Sequence, residues 1–435
     1  MKVCKFGGSS LANAKQFYKI KKIIEKDPKR EIIVVSAIGK DENNEHKITD
    51  LLYLVHAHLV YGVSYDALLK GIIERYQAIE LQLGLASEIG LVLSQKSKAW
   101  NSKTSVDEVV SLGETLSAQL LARYLDFHFA DAFDLIFLNA DGSLDEEKTN
   151  IALLKLYETY PHSVIPGFYG QNQQRIKLLP RGGSDITGSI LAAALDAEVY
   201  ENFSDVSGIL MANPKIVPYA KSIELLSFAE LRELAFMGAS VLHEASIHPI
   251  KVKDIPLNIR NTNEPDHPGT RIVSVVSEEK DPEHFITGIS GLKDFTVLTL
   301  IKEQISKYPE LMVNVLQIFA MEGLEIDLMS KGIDSLSLTV KTASFEAKQA
   351  TLMDALHALS FEKIQLEANL SLIACVGRKM KLKPGIAGQI FSAMGNAKIN
   401  IRTIAQGSDE ISILVGVDTK DFESSIQDLY EAFIK

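Results

Sequence analysis

Residues 2–10 read Lys2-Val3-Cys4-Lys5-Phe6-Gly7-Gly8-Ser9-Ser10. An apolar strand of Val3, Cys4 and Phe6 carries one lysine, Lys5, and runs directly into two glycines and two hydroxyl residues. A helical pattern begins at Leu11. Adjacent glycines let backbone N–H groups approach an anion with no Cβ in the way. Ser9 or Ser10 is placed to cap the following helix, whose N-terminus favours negative charge. Lys5 adds a full positive charge at the strand end. These are the parts of a phosphate cradle. The bland alternative is a strand-to-helix turn with a solvated lysine.

A second glycine turn of the same kind lies far downstream, at Leu179-Pro180-Arg181-Gly182-Gly183-Ser184-Asp185, followed by an apolar helix over 186–195. Arg181 is a bidentate donor for carboxylate or phosphate. Gly182 and Gly183 clear the backbone, and Ser184 reads as a helix cap. Asp185 in the first turn complements the helix dipole in the bland reading. In the functional one it holds a lysine or a magnesium ion beside a phosphate.

Around these turns the first 270 residues alternate strand and helix signals. Strands are expected at 3–6, 32–36, 135–138, 164–165, 199–201 and 257–259. Helices are expected at 14–25, 49–60, 65–83, 114–126, 185–195 and 228–237. The alternation predicts an α/β domain with a mostly parallel sheet. Residues 50–125 are almost wholly helical in period and read as an insertion packed on that sheet. A cluster of turn residues, Asn261-Thr-Asn-Glu-Pro-Asp-His-Pro-Gly269, marks a boundary.

Beyond it the pattern becomes α+β and repeats. Met321-Glu-Gly-Leu-Glu-Ile-Asp-Leu328 matches Met394-Gly-Asn-Ala-Lys-Ile-Asn-Ile401. In both, a helix leads into a strand, with Asp or Asn at the same point. The expected division is 1–270, 285–362 and 363–435, the last two being tandem βαββα units.

With 435 residues the chain has room for two or three cores. A formal net charge of −11 argues against nucleic acid and against an anionic membrane surface as partners. The two cysteines, Cys4 and Cys375, sit in apolar strand-like runs and suit reduced thiols in the cytoplasm. No apolar run is long enough to span a bilayer, and no signal peptide precedes the first strand. Neither a Gly-x-x-x-x-Gly-Lys-Ser/Thr loop nor a Gly-x-Gly-x-x-Gly turn occurs. His56 and His58 face different ways on a helix, and His243 and His248 make no metal set. No metal site is expected.

Three weaker signals complete the pattern. Glu114, in Ser111-Leu-Gly-Glu-Thr115, is a first-turn acid or a grip for a substrate ammonium. Ser204-Asp205 ends a strand at the sheet edge where α/β folds bind ligands. Asn213-Pro214-Lys215 offers another cation.

Lys5-Phe-Gly-Gly-Ser-Ser10, Arg181-Gly-Gly-Ser-Asp185, Ser204-Asp-Val206 and Gly238-Ala-Ser-Val-Leu-His243 follow one another in the order found in aspartate kinases of the amino-acid-kinase family. The repeated C-terminal units resemble that family's paired ACT domains, and the resemblance covers essentially the whole chain. It implies an amino-acid-kinase sheet sandwich with a helical insertion, followed by two ACT-like regulatory domains. The absence of a dinucleotide turn fits a form without the homoserine dehydrogenase that many relatives carry. It implies transfer of phosphate from ATP, with Mg²⁺, to the side-chain carboxylate of L-aspartate. Lys5 would meet the transferring phosphoryl group, and Gly7, Gly8 and Ser9 would line the cradle. Arg181 would clamp an aspartate carboxylate, with Glu114 on its ammonium and Thr49 as a substrate contact. Ser184 and Asp185 would organise the centre. Ser204, Asp205, Lys215 and position 240 would face the nucleotide.

The resemblance further implies a lysine or threonine effector, with Asp327 on its amine and Ile326 and Met329 beside it, and a homodimer paired through the ACT units. The chain departs from the pattern in several places. Lys215 stands where arginine is frequent, Ser240 where a nucleotide-binding lysine is usual, Pro180 for a glycine and Leu178 for a threonine. Two other readings remain: another kinase of the family, acting on glutamate or acetylglutamate, and a non-catalytic amino-acid sensor.

Overall fold

A computed structural model describes residues 1–180, 182–239, 242, 244–276, 285–381, 383–407 and 410–434. They form two compact units. The first comprises Met1–Ile209, Ser222–Phe228 and the described residues of 241–281. The second comprises Leu210–Lys221, the described residues of 229–240, and those of 282–435.

In the first unit the strands are β1 (Lys2–Phe6), β2 (Arg30–Val35), β3 (His128–Phe129), β4 (Phe137–Leu138), β5 (Ser163–Pro166) and β6 (Tyr169–Asn172). They continue with β7 (Arg175–Leu178), β8 (Val199–Ser204), β9 (Leu225–Ser227), β10 (Leu257–Asn261) and β11 (Thr270–Val273). The helices are α1 (Ala14–Lys26), α2 (Ile48–Tyr61), α3 (Asp66–Gln82), α4 (Ile89–Ser97), α5 (Val106–Val110) and α6 (Leu112–Leu125). Then come α7 (Glu146–Thr159), α8 (Gly183–Ala194), α9 (Phe228–Phe236), of which only Phe228 falls in this unit and the rest in the second, and α10 (His248–Val252).

An eight-stranded sheet has the order β3-β5-β2-β1-β8-β10-β11-β9, parallel except between β10 and β11. β1 lies inside the sheet, between β2 and β8. That position requires a strand apolar on both faces, and Val3, Cys4 and Phe6 are fully buried. The expected helical insertion is α2–α6. Its residues Leu52, Ile72, Tyr76, Leu93 and Leu116 share one core with Cys4 and Phe6, so the insertion packs on the sheet as its periodicity predicted.

The short hairpin β6–β7, which with β4 makes a three-stranded sheet, carried no sequence signal. Its alternation is partly exposed and spans only four residues per strand.

Local chemistry differs from expectation at two helix starts. A four-residue 3-10 helix, Gly8–Leu11, intervenes after the first glycine turn. Neither Ser9 nor Ser10 caps α1; the cap is Asn13, whose side chain accepts from the Gln16 amide at 3.3 Å. Ser10 instead bonds Thr262 Oγ1 at 2.7 Å. Likewise α8 begins at Gly183, so Ser184 lies inside the first turn, and the flanking residue is Gly182 in the left-handed region with φ 81°. A glycine there is free to adopt that turn, which a serine would strain.

In the second unit β12 (Gly288–Ile301), β13 (Leu328–Lys331), β14 (Ser335–Lys341), β15 (Lys363–Val376), β16 (Ile401–Gln406) and β17 (Ser412–Asp418) form one antiparallel sheet. Its order is β13-β14-β12-β15-β17-β16. The helices are α11 (Pro309–Glu322), α12 (Thr342–Glu346), α13 (Gln349–His357), α14 (Ile386–Asn396) and α15 (Phe422–Phe433). Leu298, Leu300, Val315, Phe319, Leu338 and Leu352 centre one of its cores.

The two repeats are interleaved, not simply consecutive. The first part of β12, Gly288–Leu292, pairs with Leu372–Val376 in the second repeat. The remainder pairs with β14 and the start of β15. Both long strands turn at left-handed residues, Asp294 (φ 69°) and Asn369 (φ 63°).

Candidate active site

Lys5 enters the site as the penultimate residue of β1. Its alternation places it opposite the face that carries Cys4 and Phe6. Lys5 is only 8% exposed, and an ammonium at that depth needs a partner. It has one: its Nζ lies 2.6 Å from Asp185 Oδ1 in the first turn of α8. The same oxygen accepts from Asn202 Nδ2 at 2.8 Å, on the neighbouring β8. Asp185 thus holds a lysine from the first turn of α8.

The first glycine turn is built for backbone proximity. The Gly7 N–H donates to the Phe203 carbonyl at 3.0 Å and so belongs to the sheet. A Cβ on Gly8 would meet the Ala37 carbonyl oxygen at 2.9 Å, and one on Gly39 would overlap the Gly8 carbonyl carbon. The Gly39 N–H donates to Gly8 O at 2.8 Å. The loop after β2 thus lies directly on the turn after β1. First-turn amides of a helix have no intrahelical acceptor, and Gly8 and Ser9 both border a cavity.

The second glycine turn is backed by Phe168, a non-glycine residue at φ 76°. Its N–H donates to Thr187 Oγ1 at 3.1 Å and its carbonyl accepts from the Leu179 amide at 2.7 Å. A Cβ on Gly183 would collide with the Phe168 ring, which explains the second glycine of the pair.

Glu114 sits in the first turn of α6 and is 4% exposed. One carboxylate oxygen accepts from the Ala37 amide at 3.1 Å. The other has no hydrogen-bond partner among the described residues. Burial pushes this carboxyl up to about 8, with the backbone amides of Ala37 and of Glu114 itself opposing the shift. A buried carboxylate with an unused oxygen is prepared for a cationic group.

These residues line a single cavity of about 890 Å³. Lys5, Gly8, Ser9, Thr49, Glu114, Ser184, Asp185 and Asp205 all border it, together with Gly182 and Gly183. Ser204 ends β8 beside Asp205, its hydroxyl accepting from the Val206 amide at 3.4 Å. Arg181 and Ser240 lie outside the described residues. Lys215 belongs to the second unit. Sequence reading missed Lys40, Lys47 and Lys177, three further cations on the cavity wall. Lys47 lies two residues before Thr49, a place that could have marked it; Lys177 stands on the unread hairpin, 3.3 Å from Asp107.

His56 Nε2 meets the Thr104 carbonyl and His58 Nδ1 that of Ser64, and His243 lies outside the described residues. Cys4 and Cys375 are buried, free thiols. No helix among the described residues is long and apolar enough to cross a membrane.

In the second unit Asp327 is half-buried just before β13. Its amide donates to the Thr339 carbonyl at 2.9 Å, and its Oδ2 has no partner among the described residues. Burial holds its carboxyl above the usual range. Ile326 packs against the core, whereas Met329 is exposed on a separate cavity of about 240 Å³ on the sheet.

A parallel sheet with two glycine turns and a buried lysine–aspartate pair at one crevice defines an anion-handling α/β enzyme class. Residues 1–261 match the amino acid kinase family and residues 373–433 match an ACT domain. The chain belongs to the amino acid kinase family. Within it the similarity is to aspartokinases. Aspartokinase 3 of Bacillus subtilis is 33% identical, over 100% of this chain and 98% of that one. The crystal structure of Clostridium acetobutylicum aspartate kinase, described as an allosteric enzyme, is 40% identical. It covers 99% of both chains with a TM-score of 0.90. Escherichia coli aspartokinase III, in complex with aspartate and ADP, is 26% identical over 100% of both chains, with a TM-score of 0.76.

Proposed function

We propose that this chain is an aspartate kinase, transferring the terminal phosphoryl group of ATP to the side-chain carboxylate of L-aspartate to give 4-phospho-L-aspartate and ADP. The observation that carries the reading is the cavity bordered by Lys5, both glycine turns and Glu114, whose second carboxylate oxygen has no partner among the described residues. The similarity to aspartokinases along the full chain supports it.

The chemistry suits the residues. A carboxylate is a nucleophile at neutral pH, so no strong base is required. What the reaction needs is two anions brought together and charge dispersed as the phosphoryl group moves. Lys5, held by Asp185, meets the transferring group. Gly7 shapes the turn, and the Gly8 and Ser9 amides cradle phosphate. Glu114 takes the substrate ammonium, Arg181 a substrate carboxylate, and Thr49 and Ser184 orient the same molecule. Ser204, Asp205, Lys215 and Ser240 serve the nucleotide. Asp185 and Asp205 border one cavity as hard oxygen donors, which fits a magnesium ion arriving with ATP. When bound, Mg²⁺ supplies neutralisation of the phosphate charge. The cations Lys40, Lys47 and Lys177 raise the local concentration of both anionic substrates in a protein of net charge −11.

The second unit regulates this activity by binding an end-product amino acid, lysine first and threonine second, with Asp327 on the effector's amine and Ile326 and Met329 beside it. The protein works as a homodimer paired through its ACT-like domains, in the cytosol, at the head of lysine, threonine and methionine synthesis. The domains run 1–270, 285–362 and 363–435.

An ADP-release assay with Mg-ATP and aspartate, glutamate or acetylglutamate tests the proposal. Turnover with aspartate alone is expected. Turnover with glutamate and none with aspartate would reassign the substrate. No turnover with any acid, alongside tight amino-acid binding, would make the chain a sensor, the reading that Ser240 favours.

A further inference from the structure

Arg75 on α3 is a buried cation of a different kind from Lys5. It is 8% exposed, yet no carboxylate among the described residues lies within ion-pair distance of it. Its guanidinium is spent on backbone carbonyls. Nη1 donates to His46 O at 2.9 Å; Nη2 donates to Gly39 O and, more weakly, to Ala12 O at 3.4 Å. Nε has no partner among the described residues. Burial lowers its proton affinity, with Asp41 the main opposing charge. Burying a charge against carbonyl dipoles alone is an expensive arrangement.

The three carbonyls belong to two loops, Ala12 to the one between β1 and α1, and Gly39 and His46 to the two ends of the one between β2 and α2, and both loops border the cavity. Ala12 directly follows the short helix that carries Gly8 and Ser9. Gly39 is the residue whose backbone rests on Gly8 and whose loop supplies the Ala37 amide to Glu114. His46 immediately precedes Lys47 and Thr49 at the start of α2. Arg75 itself does not line the cavity. A planar fork of donors reaches three acceptors; an ammonium on a flexible stem does not hold the same geometry.

We propose that Arg75 is a positioning residue whose guanidinium knots the loop after β1 to both ends of the loop between β2 and α2, and so fixes the phosphate turn and the Thr49 turn against each other. The inference rests on the phosphotransfer reading for its kinetic consequence, though not for its geometry. Misplacing a substrate-holding loop by about 1 Å costs up to roughly 100-fold in rate.

The test uses the full-length enzyme with R75M, R75K and, as a control, E80Q. Glu80 is a fully buried residue on the same helix that accepts from the Glu88 and Ile89 amides and from Arg123, and it does not border the cavity. Two readouts are taken: steady-state kinetics in Mg-ATP and aspartate, and hydrogen–deuterium exchange of the substrate-free protein over residues 8–12, 36–41 and 45–50. For R75M we expect KM for Mg-ATP to rise about tenfold or more and kcat/KM to fall roughly 100-fold, with faster exchange in all three segments. R75K should fall between R75M and wild type. E80Q should leave KM within about twofold of wild type, whatever its melting temperature.

Unchanged exchange in the three segments of R75M overturns the proposal, as does an E80Q variant that reproduces the KM change. Should R75M fail to fold, R75K decides, and wild-type KM and exchange in R75K refute the knot. A wild-type enzyme silent with aspartate would sink the phosphotransfer reading alone, because the exchange measurement still judges Arg75.

Discussion

Lys5 Nζ and Asp185 Oδ1 stand 2.6 Å apart, joining the first strand of the chain to the first turn of α8. Both are shielded from solvent, with side-chain exposures of 9% and 17%. The pair brings the glycine turn after β1 to the glycine turn before α8. Asn202, beside Lys5 on the adjacent β8, donates to the same oxygen. Everything proposed for the phosphoryl group depends on this contact.

Lys5→Ala is expected to lower kcat by about 10²–10³-fold, the loss typical of one preorganised electrostatic donor. Asp185 retains its bond from Asn202, so far-UV circular dichroism should keep its wild-type form. The ADP-release assay checks the rate. A variant that turns over near the wild-type rate would mean that the phosphoryl site lies elsewhere.

Glu114 should lose its proton when substrate binds. With its carboxyl near 8, burial keeps it largely protonated at pH 7 before substrate binds, and an arriving ammonium favours the carboxylate. Calorimetry of aspartate binding at pH 7 in two buffers of different ionisation enthalpy should show release of up to about one proton by the wild type. None should be released from this group in Glu114→Gln. The sign for stability follows. The native state keeps a proton that the unfolded chain gives up near 4.5, so wild type loses stability relative to Glu114→Gln as pH rises from about 5 to 8, then no further. Parallel melting curves for the two proteins across that range would contradict the assignment.

Gly39→Ala and Gly71→Ala should diverge in sign. A methyl at 39 drives the β2 loop off Gly8, and we expect a loss of about 1–3 kcal/mol with a raised KM for Mg-ATP. At Gly71, inside α3, a methyl meets nothing within 4 Å. It should stabilise by about 0.5–1 kcal/mol through helix propensity. Chemical denaturation of both variants measures this, and equal effects would show that the Gly8–Gly39 contact imposes no constraint.

Lysine or threonine at millimolar concentration should raise the melting temperature, since a ligand that binds only the native state adds about 2.7 kcal/mol at 100 times its Kd. Asp327→Asn should remove the shift while leaving the unliganded melting temperature close to wild type, because Oδ2 has no partner to lose. If neither amino acid moves the melting curve, regulation through this unit is wrong.

How much of this was legible can be judged from particular residues. The strand at 3–6 announced itself because a strand interior to a parallel sheet must be apolar on both faces. The helices of the insertion did so because a 3.6-residue period survives any tertiary context. The hairpin β6–β7 did not, and Lys177 was missed with it, since four half-exposed residues carry no period. The serine caps were misread because Ser, Asn and Gly are all competent at a helix start, and which one serves depends on where the chain enters. The repeat in the C-terminal unit was visible, but its interleaving was not. Strand partners are set by long-range pairing that no local window contains.

By itself, the sequence determined the alternating α/β and α+β patterns, the two glycine turns and the cations and acids near them, because periodicity and glycine placement are properties of neighbouring residues. Only the tertiary structure decided that Lys5 meets Asp185, that Gly39 rests on Gly8, that Glu114 is buried with an oxygen unspent among the described residues and that Arg75 binds three carbonyls on two loops at once. Those are distances and degrees of burial between segments remote in the chain. They follow from close packing of the whole core, which no stretch of sequence records alone.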